Sequence, residues 1–343
     1  MISLLVVNYR SAALAADAIR TARATTQAPL QVVVVDNSCD ASEADHLRDV
    51  ADTLVIAPTN RGYAGGVNLG RKNCEGDVIV VSNPDVTYSA NALDRLAAEL
   101  RDDVAVAGPA LFWDDAQQWM LPPGDLDTGR EKLDAILASR SRAWFAERDR
   151  RRFLQRVKFW SRERTTNVRM LSGAVMAIRT RDFDMLNGFD ERFALYFEET
   201  DFLRRISEAR KRIVYVPSSR CRHIYNQSAS QVADDAAARF AESELRYLEK
   251  WNGPWAARTL KRFEKPMPAF EMPQRTRATN ANAFVIEASP LPSFVTAAGR
   301  FTSDANDFSL PPDVLASVKG ATLYLRSAVL STGEVLATVR ISP

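Results

Sequence analysis

The stretch Phe189–Asp201 reads FDERFALYFEETD, and its last four residues, Glu198-Glu199-Thr200-Asp201, carry three carboxylates. Like charges this close repel one another, and the aromatic neighbours partly desolvate them. Both effects raise carboxylate pKa values toward the range of a general base. The other reading is an acidic helix start, in which Glu198, Glu199 and Asp201 complement the dipole. A second group is Ser82-Asn83-Pro84-Asp85, where a carboxylate follows an apolar run beside a loop-fixing proline. That is a place for a hard divalent cation held through oxygen, and equally for a turn in which Asp85 caps local amides. His223, one of only two histidines, follows the short apolar run Ile213–Val216, with Ser228 five residues on; His46 reads as structural. Asn60-Arg61-Gly62-Tyr63-Ala64-Gly65-Gly66-Val67-Asn68-Leu69-Gly70 gathers glycines ahead of a helix, where backbone amides bind phosphate or sugar, or simply form a tight loop.

Elements that would position these groups alternate along the first hundred residues. Ser3–Val7, Gln31–Val35, Thr53–Ile56 and Asp77–Ser82 read as strands; 12–24, 45–50, 66–73 and 90–101 read as helices. Valine-rich runs separated by helices predict an α/β fold with a mostly parallel sheet covered on both faces, and ligands bind beyond the C-terminal strand ends of such sheets. The polar clusters after Val7, Val35 and Ser82 all fall at that edge. Further on, Met170–Ile178 and Ile213–Val216 read as strands, and 201–210 and 234–251 as helices. No glycine follows the first strand, which runs into Asn8-Tyr9-Arg10-Ser11, so a dinucleotide-binding turn is excluded; a P-loop is absent as well.

With 46% hydrophobic and 26% charged residues in 343, the composition is that of a globular protein with room for one large core and a small second domain. A net charge of +2 is too small to argue for a nucleic-acid partner by itself. Cys39, Cys74 and Cys221 are too few and too scattered for zinc or disulfides and fit a reducing compartment. The expected location is cytoplasmic, since the opening apolar run is too short for a signal peptide or a bilayer span. Between Arg140 and Arg164 stand ten basic residues against three acidic ones, interleaved with Trp144, Phe145, Phe153, Phe159 and Trp160. This basic segment, within the helical 130–169 region, reads as a helix whose aromatics face the core, or as a peripheral contact with the inner face of an anionic membrane. Residues 264–280 read as a proline-containing linker. Residues 281–343 read as a small all-β accessory module with strands at 283–288, 294–298, 322–326 and 335–341, dispensable for binding at the catalytic domain, 1–263.

In order and spacing these pieces resemble family 2 of the inverting glycosyltransferases, the rhamnosyltransferase-like branch, which have the GT-A fold. The resemblance is carried by Val6-Val7-Asn8-Tyr9, Val35-Asp36-Asn37-Ser38, the Asn60–Asn68 loop, Asn83-Pro84-Asp85, Leu171-Ser172-Gly173-Ala174, the run Gly188 to Asp201, and His223-x4-Ser228. It covers residues 2–228 and says nothing of the tail. It implies that Asn8 and Asp36 contact the nucleoside, and that Asn60, Gly62, Asn68, Asn83 and Gly173 line the donor site. Asp85 would hold Mg²⁺ or Mn²⁺, with Asn83 in the first position of the metal motif and His223 on the metal or the diphosphate. The family's base is usually the aspartate of a Glu-Asp pair; Glu199 matches it here, with Asp201 the alternative and Glu198 beside it.

The implied reaction is one inverting displacement, from a nucleoside-diphosphate sugar, dTDP-rhamnose foremost, to a hydroxyl of a glycan or lipid-linked glycan, as in polysaccharide biosynthesis. Two other functions compete: a nucleotidyltransferase making nucleotide sugars, and an inactive sugar-binding subunit. The first normally carries a glycine-rich basic loop after strand one, which is missing. The second has no need of the acidic trio, Asp85 and His223.

Overall fold

The structure, a computed structural model, describes residues 1–125, 128–193, 195–224, 233–265, 281–318 and 320–341. The proline-containing segment 266–280 and Ser228 lie outside the described residues. Near-continuous apolar runs make the central strands, because a strand covered on both faces has no solvent side. β1 (Ile2–Asn8), β2 (Leu30–Asp36), β3 (Thr53–Ile56) and β4 (Val78–Ser82) pair in parallel in the order β3-β2-β1-β4. Registers Asn8↔Asp36 and Val6↔Ser82 bring the ends of β1, β2 and β4 to one edge.

Three helices connect these strands: α1 (Ala12–Thr25), α2 (Ala41–Arg48) and α3 (Gly62–Arg71). α1 buries Ala12, Ala15, Ala16, Ile19 and Ala22, the face that a 3.6-residue period turns to the sheet. α2 starts four residues before the expected Asp45 because Asp40 caps it, accepting from the Ser42 N–H at 3.0 Å. α3 also starts four residues early, so the glycines fall inside the helix. A Cβ on Gly66 would meet Val7 at 2.8 Å, and one on Gly70 would meet Leu5 at 2.3 Å. These two glycines let a helix press against β1, which is their role in place of an open phosphate-binding loop.

The chain continues through β5 (Val86–Tyr88), α4 (Ala92–Glu99), β6 (Val104–Phe112), α5 (Gly129–Ala138), α6 (Arg142–Trp160), β7 (Thr166–Val168), β8 (Val175–Arg179), α7 (Thr180–Met185), α8 (Glu198–Glu208), β9 (Arg212–His223), α9 (Ala233–Asn252) and α10 (Pro254–Phe263). The sheet extends as β4-β8-β6-β9-β5, with β7 also on β9. β8 is antiparallel to both neighbours, while β6 and β9 are parallel. β6 was not among the expected strands; it tolerates Pro109 where its register slips between Pro109 and Ala110. Opposite that slip β9 bulges over Pro217-Ser218-Ser219 and resumes, so His223 ends the strand. β8 is shorter than expected, and Leu171–Ala174 form a loop at the site edge.

The tail forms a second, antiparallel sheet in the order β11-β10-β12-β13, from β10 (Phe284–Ser289), β11 (Ala298–Thr302), β12 (Leu323–Val329) and β13 (Val335–Ile341), with a short α11 (Pro312–Ser317). The strand expected at 294–298 begins only at Ala298. This sheet is not a detachable appendage. Met120 bridges to Phe112 at the end of β6 and to Gly299 of β11, joining the two sheets by backbone hydrogen bonds. Ile286, Ala288, Ala298 and Leu325 share a core cluster with Val6, Ala107 and Trp113. At the centre of the contact, fully buried Glu287 accepts from Arg156 and Arg326 at 2.7 Å each, and Arg326 also pairs with Asp149.

The basic region is therefore α5 and α6, and α6 is a strut between the two sheets. Phe153 and Trp160 are buried, Phe159 lies against Tyr215, and Arg150, Arg151 and Arg152 pair with Glu147, Asp134 and Asp125. Among the described residues no helix is long and apolar enough to cross a membrane.

Candidate active site

At the ends of β1 and β2, one oxygen of Asp36 accepts from Asn8 Nδ2 at 3.0 Å and from the N–H and hydroxyl of Ser38. The other oxygen, Oδ2, is buried with no hydrogen-bond partner among the described residues. A carboxylate oxygen held in this way is ready to accept from a ligand N–H or O–H. Asn8 has nothing left to offer: its second Nδ2 hydrogen goes to Glu43 at 3.0 Å, and its Oδ1 accepts from the N–H and hydroxyl of Ser11. These bonds fix the Asn8 side chain against Asp36. Asn60 and Gly62 are likewise engaged in fixing the loop, the Asn60 side chain accepting from both Asn37 Nδ2 and the Gly62 N–H. Asn68 uses its amide on the N–H and C=O of Phe189 and on Glu191, tying α3 to the loop that leads into the acidic run.

β5 places the metal candidates. Its pairing Val86↔His223, with the Ile224 N–H bonded to the Asp85 carbonyl, sets Asp85 beside His223. His223 Nε2 lies 3.2 Å from Asp85 Oδ1, and that buried oxygen makes no hydrogen bond among the described residues. A carboxylate oxygen and an imidazole nitrogen side by side fit a divalent cation, with the remaining positions left to ligand oxygens. Among the described residues no third His, Cys, Asp or Glu joins them. Asn83 donates its backbone N–H to Ala174, which fastens the β4 end to the Leu171–Ala174 loop.

Tyr196 and Phe197 both adopt left-handed backbone, φ 66° and 69°, an uncommon conformation for two consecutive bulky residues. This turn drives the start of α8 inward. The Glu198 carboxyl is pushed well above its ordinary pKa by burial and then by the neighbouring charge of Glu199; burial raises Glu199 also. Glu199 keeps some surface exposure, but the Oε2 atoms of both are shut off from solvent and lack hydrogen-bond partners among the described residues. Gly173 is the floor beneath Glu199: a Cβ there would lie 3.0 Å from Glu199 Cγ.

Asp201, two residues on, has the opposite surroundings. It is fully buried but bound by Arg205 Nε at 2.8 Å, Lys250 Nζ at 2.7 Å and Trp251 Nε1 at 2.9 Å. Asp190 is held far down by Arg192 and Lys250. The carboxylates thus divide into an uncompensated pair, Glu198 and Glu199, and a neutralised pair, Asp190 and Asp201. Environments this different separate a proton acceptor from structural anions.

One residue the sequence quoted only within its glycine run belongs here. The Tyr63 hydroxyl is buried without a hydrogen-bond partner among the described residues, and burial together with the charges of Glu198, Glu199 and Asp85 pushes its pKa well up. An aromatic between glycines at a helix start was the available signal.

A sheet edge with a waiting acceptor oxygen at one end, and buried carboxylates and an Asp–His pair further along, is suited to group transfer. The chain belongs to the family described as Glycosyltransferase like family 2, whose model matches residues 1–243. It is 24% identical over 261 residues to the N-acetylglucosaminyl-diphospho-decaprenol L-rhamnosyltransferase of Mycobacterium tuberculosis, 68% of this chain and 79% of the relative. Over 85 residues, 25% of this chain and 32% of the relative, it is 32% identical to the rhamnosyltransferase WbbL of Escherichia coli. Among solved structures it is similar to the mannosyltransferase PcManGT from Pyrobaculum calidifontis in complex with GDP-Man and Mn²⁺, with a TM-score of 0.46 and 16% identity over 76% of this chain and 73% of that one. The family match stops before the second sheet.

Proposed function

We propose that this glycosyltransferase moves rhamnose from dTDP-rhamnose to a sugar hydroxyl of a lipid-linked glycan, with inversion. The observation that carries the reaction is the Glu199 Oε2, shut off from solvent over Gly173 and without a hydrogen-bond partner among the described residues. Glu199 takes the proton of the attacking hydroxyl at its exposed rim, and burial makes that carboxylate more basic. Asp201, saturated by three donors, holds α8 to α9 rather than accepting the proton. Asp36 receives a hydroxyl or N–H of the nucleoside. Mg²⁺ or Mn²⁺ bound at Asp85 and His223 would neutralise charge on the departing diphosphate. Rhamnose is supported by the names of both curated relatives and by Asn83-Pro84-Asp85, and the lipid-linked acceptor by the name of the Mycobacterium tuberculosis relative alone. The loss of one negative charge at Asn83 leaves Asp85 as the single carboxylate of that motif.

Peripheral membrane contact, if the acceptor is lipid-borne, falls to a different surface from the basic run. α10 exposes Trp255 at 89% together with Phe263, Arg258 and Arg262, next to Leu133 and Leu137 of α5. Exposed aromatics among arginines suit an anionic headgroup layer. The test of the reaction is transfer of labelled rhamnose from dTDP-rhamnose to N-acetylglucosamine on a short prenyl diphosphate, with and without Mg²⁺. No transfer with active metal and soluble acceptor would refute it.

A further inference from the structure

A cavity of about 250 Å³ opens between the Leu121–Asp125 segment, α6, the Leu171–Ala174 loop, the end of β9 and the Val295-Thr296 turn of the second sheet. Its inner wall includes Ser172 and His223. Ser172 adjoins Gly173, the floor under Glu199, and His223 adjoins Asp85. A hydroxyl at the inner end therefore lies between the proton acceptor and the cation site. Asp36 is elsewhere: the order β2-β1-β4-β8-β6-β9 puts it at the end of β2, with the cavity beyond β8.

Its volume is below the range of pockets for drug-sized ligands, which leaves room for a single sugar ring. The lining suits an uncharged polyol. Gln155 and Ser172 offer donors and acceptors, Val295 offers an apolar face, and the guanidinium of Arg152 is matched by Asp125 at 2.8 Å. The outer wall belongs to the tail, and the Arg156–Glu287–Arg326–Asp149 cluster holds that wall rigidly on α6.

We infer that this cavity binds the acceptor's pyranose ring and that Val295 and Thr296 of the second sheet select which ring enters. The inference rests on the glycosyltransferase reading above and adds to it a function for the tail: a specificity wall.

The full-length chain is tested with Thr296→Trp, which fills the cavity from the tail side, and Gln155→Trp, which fills it from an exposed position on α6. Two probes are used: N-acetylglucosamine on a short prenyl diphosphate, and octyl N-acetylglucosaminide without diphosphate. Both variants should raise KM at least tenfold for both probes, with the melting temperature and dTDP binding of the wild type. Unchanged KM in either well-folded variant overturns the inference while leaving the reaction standing. A loss confined to the diphosphate probe means that the cavity holds phosphate and overturns the ring assignment. If the wild type transfers to neither probe, the acceptor reading fails first and the inference falls with it.

Discussion

Replacing Glu199 by glutamine removes the proton acceptor and keeps its volume, so packing over Gly173 survives. Loss of a general base costs ~10²–10⁴-fold in turnover, or about 3–5 kcal/mol of barrier. Donor affinity should hardly move, because Asp36 stands two strands away from the β4 end. The acid limb of the wild-type kcat profile also follows from burial. Only the ionised carboxylate accepts a proton, so activity falls as pH drops through the Glu199 pKa, and burial sets that limb above the ordinary carboxylate value of roughly 4.3. Stability has the reverse sign. For an acid whose folded pKa exceeds its unfolded pKa, the folded state binds more protons, so stability declines as pH rises from the unfolded value through the folded one. Glu199→Gln should therefore melt higher than the wild type at pH 8, by roughly 2 °C or more, with the difference vanishing near pH 4. Stopped transfer assays across pH, with melting scans in the same buffers, read both effects. Turnover within threefold of the wild type would refute the base assignment. So would Asp201→Asn reproducing the loss while Glu199→Gln stays active.

Asp85→Ala should abolish transfer at every Mn²⁺ concentration while the melting curve stays near wild type; full activity in the variant would move the cation elsewhere. Glu287→Gln leaves Arg156 and Arg326 buried beside Asp149 alone, an imbalance worth about 3–5 kcal/mol, and should lower the melting temperature by roughly 10 °C; a shift under 2 °C would mean that the cluster is slack. Trp255→Ala with Phe263→Ala should weaken sedimentation with anionic vesicles while Arg150→Glu has little effect; the reverse outcome would return the contact to α6.

The parallel half of the sheet was legible because β1, β2 and β4 are pure apolar runs, whose burial needs no knowledge of the rest of the chain. β6 was not legible, because the register slip that accommodates its Pro109 depends on pairing with β9. The acidic run was legible as a site, but its division of labour was not. Asp201 differs from Glu199 through Lys250 and Trp251, about fifty residues away in sequence, and only packing of α9 brings them together. The engagement of the Asn8 side chain by Glu43 and Ser11 was not legible, because it depends on packing of α2 against the β1 end. The tail looked separable since its strands are short and follow a proline-rich stretch. Its partners, Arg156 and Trp160, sit in a segment whose charge invited a surface reading; removal of residues 281–341 should now expose the shared core instead of freeing a catalytic domain.

The proposed reaction is a single displacement assisted by a cation at Asp85, and one measurement reads both parts. Proton NMR of the reaction between dTDP-rhamnose and the prenyl diphosphate acceptor, run with Mg²⁺ and again with excess EDTA, gives the anomeric configuration of the new bond and its metal requirement. Inversion with Mg²⁺ and no product with EDTA is the predicted result; a retained configuration, or undiminished transfer in EDTA, would contradict it.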